Sequence, residues 1–96
     1  MISERSIVVA SRSQVSCELE GEAVVLNLKD GVYYGLNPVG AHIWKLIREP
    51  KQVCEVVNIL LETYDVEPER CTREVLTLLQ DLAARGLVEV QDAVGS

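Results

Sequence analysis

Apolar and polar residues alternate with a period of two in the first part of the chain and recur every three or four residues in the second. Val15-Ser16-Cys17-Glu18-Leu19 alternates as a half-buried strand does. Glu20-Gly21-Glu22 reads as a turn. A second strand follows from Ala23 to Lys29, with Val24, Leu26 and Leu28 on one face and Ala23, Val25, Asn27 and Lys29 on the other. Asp30-Gly31 is the strongest short hairpin signal, because both residue types tolerate positive φ in a two-residue turn. Val32-Tyr33-Tyr34-Gly35-Leu36 is then a third strand, which completes an antiparallel meander. Ile7-Val8-Val9 is expected to add an irregular extra strand ahead of it.

Helical spacing begins after Leu36. Asn37 is placed to cap a helix with Pro38 at its first position. Val39, Ile43, Leu46 and Ile47 form its stripe beside Trp44, and Glu49-Pro50 ends it, since a residue before proline avoids the α region. A second helix runs from Gln52 to Tyr64 on Val53, Val56, Val57, Leu60 and Leu61. After the break Asp65-Val66-Glu67-Pro68, a third runs from about Glu69 to Arg85, with Gly86 as its stop. Leu87–Val90 is a short closing strand, and the tail from Gln91 reads as a loose end. Strands followed by helices around one core predict an α+β class, a three-stranded antiparallel sheet and three helices, which also fits a winged helix-turn-helix. The 96 residues predict one domain with its core at about residues 15–90.

Charge narrows the function. The formal net charge is −6 and the basic residues are scattered, whereas a duplex-binding domain carries a basic face. No nucleic-acid partner is expected. No run approaches the ~20 apolar residues that cross a bilayer, and the start of the chain lacks the apolar core of a signal peptide. No membrane partner and a cytoplasmic location are expected. Cys17, Cys54 and Cys71 are odd in number and lack C-x-x-C spacing, which predicts free thiols. Cys71 lies at a helix start, where either a favoured thiolate or an ordinary packed residue fits.

The chemical inventory for catalysis is poor. His42 is the single histidine, with no carboxylate or thiol brought to it by spacing, so it reads as a structural residue and not a base. There is no metal-ligand spacing, phosphate loop or nucleophile elbow. No catalytic residue, no metal and no cofactor are expected, and the chain reads as a binding protein.

Two features locate the binding. The third strand lies at the edge of a three-stranded meander. Val32–Leu36 carries neither charge nor proline, the usual protections of an edge. It can accept a peptide as an added strand, or a second copy of itself in a weak dimer. The third helix has an over-wide apolar arc, about 160° where about 100° closes a core. Leu78 and Leu76 sit on opposite margins, and Glu74, Asp81 and Arg85 adjoin the Leu78 margin.

Leu26–Asn37, with Gly40 and Ile43-Trp44 after it, resembles the signature of PqqD-like proteins; Tyr64-Asp65-Val66 and Asp81–Val88 fit the same family. The resemblance spans about Val15 to Val90. It implies a non-catalytic recognition element for ribosomally made, modified peptides, of winged helix-turn-helix type. Such an element binds a precursor's leader as a further strand against the third helix and presents it to a modifying enzyme. The sequence is similar both to PqqD proper, which serves a radical S-adenosylmethionine enzyme, and to the free-standing leader-binding proteins of lasso-peptide pathways, which serve a leader peptidase; the lasso type is favoured. Carried over residue by residue, the resemblance implies peptide contacts at Val32, Tyr33, Tyr34, Gly35 and Leu36 on the strand and at Glu74, Val75, Leu78 and Leu82 on the helix. It leaves open which helix margin faces the peptide.

Overall fold

The computed structural model describes residues 2–12 and 14–91. In chain order the elements are β1 (Ile7–Ala10), β2 (Gln14–Leu19), β3 (Glu22–Asn27), β4 (Tyr33–Leu36), α1 (Pro38–Leu46), β5 (Lys51–Gln52), α2 (Val53–Thr63), α3 (Pro68–Ala84) and β6 (Val88–Gln91). The expected meander is there as the antiparallel sheet β2-β3-β4, with β3 central. A second antiparallel sheet, β5-β1-β6, accompanies it. Ile7–Ala10 is therefore the central strand of a second sheet and not an irregular addition. It pairs with β6 from Ile7↔Gln91 to Ala10↔Val88, so Gln91 belongs to the closing strand; only residues 92–96 of the expected loose end lie outside the described residues.

The turn chemistry differs from the expectation in an instructive way. The two-residue hairpin is Glu20-Gly21, between the paired Leu19 and Glu22. Both turn residues have positive φ, 51° and 84°, the conformation whose twist matches the flanking strands. At the second hairpin only Gly31 has positive φ, and four residues, Leu28–Gly31, make the loop. Side chains close it: Asn27 Oδ1 accepts from the Lys29 N–H at 2.8 Å, and Asp30 Oδ1 accepts from the Val32 N–H at 3.0 Å.

The helices are capped much as their sequences predict. Asn37 Oδ1 accepts from the Gly40 N–H at 2.8 Å, with Pro38 at the first position of α1. At α2 the N–H groups of Val53 and Cys54 donate to the carbonyls of Ser6 and Glu4, both at 3.0 Å, so the segment before β1 satisfies helix-end donors. At the end of α3, Gly86 takes φ 75°; its N–H donates to Ala83 and that of Leu87 to Leu82, the paired bonds of a Schellman motif. The Asn27 amide also donates to the Arg85 carbonyl at 2.7 Å, tying β3 to this helix end.

One apolar cluster joins all of this. Val25 from the first sheet, Val8 from the second, and Trp44, Ile47, Leu60, Leu79, Leu82 and Leu87 are fully buried in it. On β3 the inward residues are Ala23, Val25 and Asn27, which leaves Val24 and Leu26 on the face turned away from the core.

Candidate functional site

β4 is the outer strand of its sheet. In an antiparallel ladder, hydrogen-bonded and non-hydrogen-bonded pairs alternate. The Asn27 N–H donates to the Val32 carbonyl at 3.0 Å, so this carbonyl and the backbone groups of Tyr34 and Leu36 are directed to β3. The N–H and C=O of Tyr33 and Gly35 therefore point to the open side. Side chains alternate with them. Tyr34 is half-buried and Leu36 buried on the core-facing side, whereas Tyr33 stands 69% exposed on the outer face.

Beside this edge runs a groove of about 410 Å³. Tyr34, Gly35 and Leu36 form one wall, α1 contributes Val39, Gly40 and Ile43, and α3 contributes Cys71, Glu74, Val75 and Leu78. Leu60, Tyr64 and Val66 close the far side. Gly40 permits the close approach of β4 and α1, since a Cβ there would stand 3.2 Å from Leu36. The groove continues into a wider polar trough where Tyr34 faces Arg70, Arg73, Glu74, Thr77 and Asp81.

Two side-chain clusters hold the walls in place. The Tyr34 hydroxyl donates to Asp81 Oδ2 at 2.6 Å, and Arg85 Nε donates to Asp81 Oδ1 at 3.2 Å. The Arg85 guanidinium also lies 4.9 Å from the centre of the Tyr34 ring, within cation–π range. The hydrogen bond to Asp81, then burial, then the Asp81 charge hold the Tyr34 phenol above its ordinary pKa. The same bond, followed by Arg85, outweighs burial and holds the Asp81 carboxyl below its ordinary value. At the other wall, His42 Nδ1 lies 3.3 Å from the Tyr64 hydroxyl and the rings meet edge to face. His42 thus supports a groove wall.

The positions predicted from sequence separate cleanly. Tyr34, Gly35, Leu36, Glu74, Val75 and Leu78 line the groove. Tyr33 offers its backbone to the open edge. Val32 precedes the strand and lies by Asn27, Tyr34 and Arg85. Leu82 is fully buried in the core, so its side chain presents no surface to the groove; it sits near the centre of the arc that α3 buries, and not at its margin. The Leu78 margin faces β4, whereas Leu76 lies on the opposite side near Glu4 and Glu69. Val39, Tyr64, Val66 and Cys71 join the lining without having been picked out for it. Cys71 is a packed residue whose burial, with Glu74 beside it, pushes its thiol pKa up, so it is not an activated thiolate. Among the described residues no three or more His, Cys, Asp or Glu side chains gather in a way that would hold a metal ion. No helix among them is long and apolar enough to cross a membrane.

The family model described as coenzyme PQQ synthesis protein D (PqqD) matches residues 22–88, from the start of β3 into β6. The chain belongs to the PqqD family. Two solved structures share this PqqD fold. TbiB1 in complex with the TbiA(beta) leader peptide is 34% identical with a TM-score of 0.79, over 84% of this chain and 94% of that one. Lasso peptide synthetase B1 complexed with the leader peptide is 21% identical with a TM-score of 0.75, over 85% and 96% of the two chains. No curated protein matches the sequence. The PqqD match covers both walls of the groove, β4 and α3, and its upper bound falls at the first residue of β6.

Proposed function

We propose that this chain is a non-catalytic recognition element that binds the leader region of a ribosomally synthesised precursor peptide, of the lasso-peptide type, and presents it to a leader peptidase or modifying enzyme. The leader adds to β4 as a fourth strand of the β2-β3-β4 sheet. The observation that carries this reading is the coincidence of an open strand edge with an apolar groove: the backbone groups of Tyr33 and Gly35 supply hydrogen bonds, and Leu36, Val75 and Leu78 supply a pocket for inward side chains. Glu74 and the Tyr34–Asp81 pair form the polar margin. The two leader-bound relatives support the same reading: one is 34% identical over 84% of this chain, and the family match spans the elements that form the groove.

A duplex-binding role is not favoured. α3 carries three carboxylates, Glu69, Glu74 and Asp81, against two guanidiniums, Arg70 and Arg73, and the whole chain is acidic. Service to a radical S-adenosylmethionine enzyme in PQQ synthesis would use the same edge, but both similar solved structures hold a leader peptide, and one of them is a lasso peptide synthetase B1.

The test is titration of the isotope-labelled protein with the synthetic leader of the precursor encoded beside it. Binding in the nM to µM range, about 8–12 kcal/mol, is expected, with amide shifts concentrated in Tyr33–Asn37 and along α3. A folded protein that binds no such leader, or binds it away from β4, would overturn the proposal.

A further inference from the structure

Gly35 occupies the middle of the open edge, yet nothing in the fold requires a glycine there. Its φ is not among the positive values of the chain, and a Cβ built on it meets nothing within 4 Å. Glycine inside a strand is also unfavourable in itself, by loss of backbone entropy and of packing. The space left by the missing side chain lies on the outer face of the sheet, because Gly35 pairs with the outward Val24 and paired residues share a face. Val24 is 38% exposed, and Tyr33, two residues away on the same face of β4, is more exposed still. The result is a notch: a bare backbone position bordered by an exposed Val on one side and an exposed Tyr on the other.

The backbone of this same residue points to the open side, so the notch is continuous with the edge that a strand would join. A residue of the added strand directly opposite Gly35 projects its side chain onto the outer face. With no Cβ to meet it, that side chain can lie down across Gly35 onto Val24 and against Tyr33. A small or polar residue would leave both exposed. We propose that Gly35 is a specificity notch, and that the bound peptide carries a large apolar or aromatic side chain at the position paired with it. The inference rests on strand addition at β4 and adds to it a second, outward-facing contact on the side of the sheet opposite the groove.

The experiment uses the same leader peptide, fluorescein-labelled, with wild-type protein and the Gly35→Ala and Gly35→Val variants. Contacts between Gly35 protons and isotope-labelled leader identify the opposing residue. The expected result is a large apolar residue there, whose change to Ala weakens wild-type binding about tenfold. Gly35→Val folds, since its side chain enters open space, and weakens the native leader by a similar factor. In that background the Ala peptide and the native peptide bind alike, and Gly35→Ala lies between. Leader bound along β4 with a small or polar residue opposite Gly35, or bound equally well by Gly35→Val, would overturn the notch while leaving strand addition standing. Absence of binding along β4 by the wild-type protein would overturn both.

Discussion

The bond between Tyr34 and Asp81 links the edge strand directly to α3, and Tyr34→Phe removes it while keeping the ring. A hydrogen bond to a buried charged group contributes roughly 1.5–3 kcal/mol. The Asp81 side chain is 44% exposed, so solvent screening brings the expected loss to about 1 kcal/mol. The cation–π contact of Arg85 with the ring survives the change, which keeps the estimate at the low end. For a domain of this size about 1 kcal/mol lowers the melting temperature by roughly 4–8 °C. The pH dependence distinguishes this bond from a generic packing loss. Asp81 has a lowered pKa in the folded chain, so its contribution is present above the unfolded carboxylate value of about 3.9 and fades as pH falls through the folded value. Tyr34 has a raised pKa, so its contribution is complete below the unfolded phenol value of about 10 and fades as pH rises through the folded value. The gap between wild type and Tyr34→Phe should therefore be flat through neutral pH and narrow at both extremes. Calorimetric melting across the pH range, repeated in the Asp81→Asn background where the gap should shrink, measures it. A Phe variant that melts with the wild type at neutral pH, or a gap that persists unchanged in acid, would refute the reasoning.

Three further outcomes are expected. Leu78→Asp, at a half-buried groove position, should weaken leader binding at least tenfold in an anisotropy titration, because burying a leucine contributes about 1.5–3 kcal/mol, while the fold survives. Leu79→Ala, one residue further along α3 but fully buried, should instead cost about 2–5 kcal/mol of stability in urea unfolding. Gly86→Ala should destabilise by about 1 kcal/mol or more, since φ of 75° is strained for alanine and a Cβ would stand 3.4 Å from the Asn27 amide that caps α3.

Local pattern made most of the molecule legible. The alternation in β2 and β3, the Asn37-Pro38 cap and the Gly86 stop are each decided by a few neighbouring residues, and each appears where expected. The second sheet was not legible, because β5 has two residues and β1 finds its partner in β6, some eighty positions away along the chain; no local signal encodes such a pairing. At Asp30-Gly31 the loop is longer than the residue pair predicts, because Asn27 and Asp30 close it with their own side chains, whereas Glu20 adopts a conformation that its residue type does not advertise. On α3 the arc places Leu78 at a margin, as found, but Leu82, expected among the peptide contacts, is as fully buried as Leu79. Helical spacing ranks positions around an axis; it does not say how far the packed neighbours reach.

The pairing of β1 with β6 has a consequence for where such a fold can begin. Ile7 and Gln91 are cross-strand partners, so the first and last strands of the described residues run side by side, roughly 5 Å apart at the Cα atoms. The ladder that joins them shares no strand with the sheet that carries β4. A fold whose first and last strands pair can be re-cut to begin elsewhere with little strain, because a short link would join them. Such a link would leave β4 and its open edge untouched, since they lie in the other sheet.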